Sequence, residues 1–322
     1  MSSAAVPNSG GRRRRILVLG SLNIDLVQRV PRIPAPGETL VGEQLQTYAG
    51  GKGANQACAA ALLGGDAALA GMLGKDVFAA RLLQELRRAG VKTEAVGEAD
   101  GPSGSATIFV LPNGDNSIVI SPGANAEVSV EFAVEKAEKL QAGDFLLCQL
   151  ETPLAAVIKA MQAAQKQGAI TVLDPAPAHH LPSEVFRCTE IMTPNQTEAA
   201  FLVHSMQPID SIEQAMQAAR HLQERGTPVV IIKMGRQGCV IADGGEITHI
   251  PGFAVQAIDT TGAGDTFNAA LAVGLAEGLK LPDATRFANA AAALSVTRPG
   301  AIDSMPARSD VEEFLRFAGV NN

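Results

Sequence analysis

Short apolar runs recur along this chain, each closing on glycine, proline or a polar residue. They are "ILVLGS" (16–21), "FLLCQLE" (145–151), "AITVLDP" (169–175), "EIMTPN" (190–195) and "PVVIIKMG" (228–235). Runs of this length and ending suit strands buried on both faces of a parallel sheet. Helical windows separate them. "GANQACAAALLGG" (53–65) is alanine-rich and closed by glycines, and "FAARLLQELRRAG" (78–90) is amphipathic with a glycine stop. Residues 153–167 and 211–225 read as helices too. Strand–helix alternation predicts an α/β fold, a doubly wound and mainly parallel sheet with helices on both faces.

Two stretches break the rhythm. "IDLVQRVPRIPAPGETLVGEQLQTYAGG" (24–51) and "SGSATIFVLPNGDNSIVISPGAN" (103–125) read as antiparallel hairpins. The second turns at Asn113-Gly114 between alternating apolar positions, a strong hairpin signal. Inserted early into a parallel sheet, they predict a small β-sheet lid from about 22–49 and 103–123. No repeat, linker or composition shift marks a second core, so residues 16–322 are expected to form one domain. The head, "MSSAAVPNSGGRRRR", has neither an acid nor an apolar run and is expected to be a disordered tail over 1–15. A short organelle-targeting peptide is its alternative reading, with a cytoplasmic location otherwise expected.

Composition narrows the partners. Net charge is −7, and without Arg12–Arg15 the remaining 22 basic residues face 33 acidic ones, for −11. There is no tryptophan and one tyrosine, Tyr48. Neither a basic face nor a stacking platform is offered to nucleic acid. The apolar runs are strand length, so no membrane span is expected. Cys58, Cys148, Cys188 and Cys239 form no C-x-x-C pair and read as buried thiols of a reducing compartment.

In an open α/β sheet, ligands bind beyond the carboxyl ends of the strands. The polar residues at those ends are Asn23, Asp25, Glu151, Asp174, Asn195, Glu198, Lys233 and, at the last helix start, Asp265. The chain lacks both the P-loop pattern and the dinucleotide fingerprint. "DTTGAGDTF" (259–267) offers another phosphate cradle, since small residues let helix-start N–H groups approach an anion. A carboxylate at that position could be only a cap. Two threonines and two glycines just ahead of it favour a base acting beside a charge-stabilising turn. "NIDLV" (23–27) puts Asn23 and Asp25 on one side of an extended segment, an arrangement that can accept vicinal sugar hydroxyls. "GGKGAN" (50–55) adds Lys52 and Asn55 as donors among glycines. "PNQTEA" spaces Asn195 and Glu198 for a helix capping box or for ordering water around Mg²⁺. No histidine has metal-ligand spacing, and no G-x-S-x-G occurs.

Taken in order, "GSLNIDLV", "GGKGANQA", "CQLE", "DPAPA", "PNQTEA", "DTTGAGDTFNAAL" and "RFANAAAALSVTRPGA" resemble the ribokinase-like (PfkB) carbohydrate kinases from Ile16 to about Ser304. The resemblance implies ATP-dependent phosphorylation of D-ribose at the 5-hydroxyl. It makes Asp265 the base and Gly262, Ala263 and Gly264 the anion hole. It assigns the sugar to Asn23, Asp25, Gly51, Lys52, Asn55 and Glu151. Asn195, Lys233, Gly235, Gly238 and Asn289 would line the nucleotide, and Glu198 would organise Mg²⁺. An activating K⁺ would fall on Asp259, Thr261, Ser295, Arg298, Gly300 and Ser304, several through carbonyl oxygens. A homodimer paired through the lids is implied as well. Another sugar or nucleoside kinase of this fold, or a non-catalytic sugar-binding regulator, is the alternative. Two positions depart from the family pattern. Lys233 stands where relatives commonly have threonine, and Asp174 replaces the asparagine of "NPAPA".

Overall fold

On β1 (Arg15–Leu19), Leu17 and Leu19 enter one apolar core while Ile16 and Val18 enter another. A period of two with both sides buried puts this strand in the middle of a covered sheet. The structure, a computed structural model, describes residues 12–318. The next strands are β2 (Asn23–Arg29), β3 (Gln46–Gly50), β4 (Asp66–Leu73), β5 (Val96–Glu98), β6 (Gly104–Val110) and β7 (Asn116–Ser121). They are followed by β8 (Phe145–Cys148), β9 (Ile170–Leu173), β10 (Ile191–Met192), β11 (Val229–Lys233), β12 (Cys239–Asp243) and β13 (Glu246–Ile250).

Nine of these form one sheet in the order β13-β12-β11-β10-β9-β8-β1-β4-β5. Pairing is parallel from β11 to β5, and only the β11–β12 and β12–β13 pairs are antiparallel. The chain winds outward one way through β8 to β11 and the other way through β1, β4 and β5. The direction therefore reverses between β1 and β8, where Ile16 pairs with Phe145 and Leu19 with Cys148. In a doubly wound sheet, that reversal opens the ligand crevice.

The helices that flank it are built for close approach. Lys52–Leu62 packs on Ala263–Ala276, which packs on Leu281–Ser295. Their buried residues are largely alanine, including Ala57, Ala60, Ala269, Ala272, Ala288 and Ala291, all fully buried. Small side chains bring backbones close at a crossing. The first of these helices enters the crevice with its N-terminus, and so does the second.

The two expected hairpins are present as β2–β3 and β6–β7. They are not independent. β2 and β6 pair in parallel, from Asn23↔Gly104 to Arg29↔Val110, so one four-stranded sheet of order β3-β2-β6-β7 forms. All six residues of β7 are exposed. Sequence periodicity finds each hairpin but has no access to the pairing between them.

The reading of the head needs correction for its last residues; residues 1–11 lie outside the described ones. The first strand begins at Arg15, one residue before the expected start. The buried Asp144 carboxylate receives Arg12 Nη2 at 2.6 Å and the Arg15 backbone N–H at 2.8 Å. Arg13 donates to the Gly64 carbonyl. Part of the arginine run is thus docked on the sheet rather than free.

Packing at the crevice gives a stability test. A Cβ on Gly53 would lie 2.5 Å from the Gly20 carbonyl carbon and the Ser21 nitrogen, both backbone atoms that cannot turn aside. Gly53→Ala is expected to lower the unfolding free energy by about 1–3 kcal/mol, the usual cost of overpacking. Urea unfolding measures it, and an unchanged midpoint would contradict this account.

Candidate active site

The switch point is closed by a serine and a glutamate. β1 runs on through Gly20 to Ser21, and β8 runs on to Glu151. Ser21 Oγ donates to Glu151 Oε2, which also accepts the Lys52 backbone N–H at 3.2 Å. Glu151 is therefore pinned between the strand end and the first turn of the Lys52–Leu62 helix. That turn is preceded by Gly51, whose φ of 90° is open to glycine and strained for other residues.

β2 is extended, so Asn23 and Asp25 do share a side as expected. Asn23 Oδ1 accepts from Asn125 Nδ2 at 2.7 Å. Asn125 in turn accepts the Leu22 N–H at 2.9 Å, so its amide holds the end of the strand. Burial, with the Glu151 charge adding to it, pushes the Asp25 carboxyl up to about 7.

Asp265 is the third residue of the Ala263–Ala276 helix, whose cap, Gly262, takes the left-handed conformation at φ 74°. Asn55 Nδ2 donates to Asp265 Oδ2 at 2.9 Å, and Gln56 Nε2 donates to its other oxygen at 3.1 Å. The carboxylate is thus tied across the crevice to the glycine-rich turn that also holds Glu151. Burial raises the Asp265 carboxyl to about 6 and Asp174 adds to the rise. Lys52 and the two amide hydrogen bonds pull it back. Lys52 itself is held charged: burial opposes this, but Asp265, Asp174, Glu151 and Glu198 together outweigh it.

Lys233, at the end of β11, forms an ion pair with Asp174, Nζ to Oδ1 at 3.0 Å. The two departures from the family pattern are partners. Asn195 and Glu198 make a complete capping box: each accepts the other's backbone N–H at 2.8 Å. Burial raises the Glu198 carboxyl, with Lys233 working against the rise. Among the described residues no three His, Cys, Asp or Glu side chains group as a metal site. A hydrated Mg²⁺ carried by phosphates needs only one or two protein carboxylates, so Glu198 fits that demand.

Gly235 (φ 56°) and Gly238 (φ 90°) shape the turn after β11. The Asn289 amide donates toward the Ile250 and Pro251 carbonyls at 3.4 and 3.3 Å, joining its helix to the end of β13.

Where the cation was expected, Asp259 braces a loop. It accepts from Thr261 N at 2.9 Å, Thr261 Oγ1 at 2.7 Å and Gly300 N at 2.9 Å. Partial burial works the other way, but these hydrogen bonds lower its carboxyl below the ordinary value. Ser295 and Ser304 spend their hydroxyls on the Ala292 and Ala301 carbonyls, and Arg298 reaches Asp310 at 3.3 Å. The side-chain oxygens of Asp259, Thr261, Ser295 and Ser304 are thus engaged within the loop.

Gln56, Gln149, Ser21 and Asn125 were not singled out in the sequence. Gln149 Nε2 donates to Gln56 Oε1 at 2.7 Å, leaving the Gln56 amide group for Asp265 and, at 3.3 Å, Asp174. The available signal was their place inside "GGKGANQA", "CQLE", "GSLNID" and "SPGAN".

A doubly wound sheet with a small second sheet, and a buried carboxylate at a glycine-capped helix start, is an arrangement suited to phosphoryl transfer. The pattern described as "pfkB family carbohydrate kinase" matches residues 13–308. The chain belongs to this family. It is 42% identical over 308 residues to a ribokinase of Haemophilus influenzae, covering 95% of this chain and 100% of that protein. A ribokinase of Bacillus subtilis is 38% identical over 302 residues, 94% and 99% of the two chains. The structure of Arabidopsis thaliana ribokinase complexed with ribose and ATP superposes with a TM-score of 0.86 at 34% identity, over 94% of this chain and 99% of that one.

Two raised carboxyls set opposite pH trends for activity and stability. Their folded values, about 7 and about 6, lie above the ordinary 3.8, so protonation favours the folded state. The stability they contribute is present below the ordinary value and is lost as pH rises through 6–7. The base expected at Asp265 must be ionised, so turnover should instead fall as pH drops below about 6. Asp265→Asn is expected to stabilise the fold at about pH 8 by on the order of 1–3 kcal/mol, and by less near pH 5. Thermal unfolding at both pH values checks this, and an equal gain at both would refute the burial argument.

Proposed function

We propose that this chain transfers the γ-phosphoryl group of ATP to the 5-hydroxyl of D-ribose. One observation carries the reading. The start of the Lys52–Leu62 helix touches both ends of the required chemistry, with Lys52 N on Glu151 and Asn55 Nδ2 on Asp265. A sugar held by Asn23, Asp25, Gly51, Lys52, Asn55 and Glu151 would thereby meet the base. Ribokinase relatives at up to 42% identity over nearly the whole chain support the same substrate.

Asp265 takes the proton of the 5-hydroxyl as its oxygen bonds to the γ-phosphorus. The bond from that phosphorus to the β–γ bridging oxygen breaks, ADP leaves, and Asp265 returns its proton to solvent. Charge building on the transferred oxygens is met by the N–H groups of Gly262, Ala263 and Gly264 at the positive end of the helix. Asn195, Lys233, Gly235, Gly238 and Asn289 hold the nucleotide. Mg²⁺ bound with ATP would neutralise phosphate charge, its water shell ordered by Glu198. K⁺ in the loop of Asp259, Thr261, Ser295, Arg298, Gly300 and Ser304 would stiffen the turn that Gly262 caps. A Cβ on Gly262 would lie 3.4 Å from Ala301 Cα, so that loop and the anion hole share a wall.

The four-stranded sheet serves as a lid over the sugar, keeping water from the γ-phosphate. Its outer strand exposes Ile118, Val119 and Ile120 at 50, 64 and 50%, an apolar edge that suits a second lid in a homodimer. We place the reaction in the cytoplasm, where its four free, buried cysteines stay reduced.

Turnover should be confined to D-ribose in a panel with D-fructose, adenosine and fructose 6-phosphate, and raised by K⁺. Preference for another acceptor would overturn the sugar assignment. Asp265→Asn should lower kcat by about 10²–10⁴-fold, the span of a lost general base. Light scattering should find a dimer that Val119→Lys splits; a monomeric parent removes the lid-pairing proposal.

A further inference from the structure

Lys233 and Asp174 lie 59 residues apart in sequence and meet at 3.0 Å. Their side chains are 13% and 3% exposed, so this is a crevice pair rather than a surface one. Surroundings on both sides bear on what it does. Asp174 Oδ2 accepts from Gln56 Nε2, the same nitrogen that donates to Asp265. On the other side, a Cβ built on Gly264 would lie 3.4 Å from Lys233 Nζ. The ammonium therefore stands over the second residue of the helix that carries Asp265, beside the glycine turn.

Backbone contacts fix where the lysine starts. Lys233 N donates to the Pro194 carbonyl at 2.9 Å, and Lys233 bridges Asn195 in parallel. Its stem rises from the strand end next to the Asn195–Glu198 cap. A lysine ammonium has three donors and a mobile stem. One donor on Asp174 leaves the others for an acceptor.

We propose that Lys233 is a phosphate-binding residue for the terminal phosphoryl group of ATP, and that Asp174 is the positioning residue that holds its ammonium over Gly264. This rests on the kinase reading above and names a cation within that site. The pair behaves as one unit. Removing the lysine alone strands a buried carboxylate beside phosphate; removing the carboxylate alone frees the ammonium to wander. Removing both leaves the net charge of the crevice unchanged and takes away only the added cation.

Five proteins test this: the parent, Lys233→Thr, Asp174→Asn, the double variant and Lys233→Arg. Calorimetric titration with ATP and with ADP, without sugar, reads the terminal phosphate directly. Lys233→Thr should weaken ATP by about 10–100-fold, the range of a lost charged hydrogen bond plus a stranded charge, and ADP by less than about threefold. Steady-state kinetics should show the loss in kcat and KM for ATP, with KM for ribose nearly unchanged. The double variant should recover at least about fivefold over Lys233→Thr, and Lys233→Arg should keep most of the parent's ATP affinity. A merely structural pair would depress ATP, ADP and ribose together. Equal losses for ATP and ADP, or losses in the double variant that simply add, would overturn the proposal. Should the parent fail on ribose, the sugar assignment falls, while the ATP-to-ADP ratio still decides the role of Lys233.

Discussion

Four carboxylates, Asp265, Asp174, Glu151 and Glu198, act on the buried ammonium of Lys52. At an effective dielectric near 20, two unit charges about 4 Å apart interact by roughly 4 kcal/mol. Without that counter-charge, burial would raise the Asp265 carboxyl beyond about 6. With it, the group stays just below the working pH. That is where the base proposed above would be both ionised and able to accept a proton in the transition state. The same ammonium favours the charged form of Asp265, across one helix turn from the Lys52 N–H that holds Glu151. The crevice is thus an electrostatic balance first and a hydrogen-bond network second.

The balance depends on a backbone contact. Gly53 lies so close to Gly20 and Ser21 that no side chain fits between them, and Gly51 bends back at φ 90°. These glycines let the helix start press against the end of β1, which carries Lys52 and Asn55 into the switch point. A wider spacing would break the Lys52–Glu151 contact and lengthen the reach to Asp265. Close backbone approach at the strand ends therefore decides where the charges sit.

The doubly wound sheet was legible because it rests on local signals: apolar runs of strand length and helical windows between them. The residues gathered at the crevice were legible for a topological reason, since parallel strands deliver their carboxyl ends to one edge. Three things were not. The β2–β6 pairing joins segments with no shared local pattern. Docking of Arg12 and Arg15 on Asp144 depends on a contact across 129 residues or more. Gln56 reads as one more polar helix residue until both its carboxylate partners are seen in space. In each case the deciding interaction is long-range, and composition and periodicity carry no record of it.

Lys233 and Asp174 show the same limit from the other side. Taken singly, each looks like a defect in a nucleotide site: a lysine for a hydroxyl, and an added negative charge near phosphates. In space the charges cancel. A buried ion pair gains little stability over a neutral pair of similar size, because desolvation offsets most of its attraction. Stability is thus a weak reason for such a pair to stand beside the Gly262–Gly264 turn. An ammonium held over Gly264, with donors to spare, gives a stronger one, because its full electrostatic value is realised only when phosphate arrives in the closed crevice.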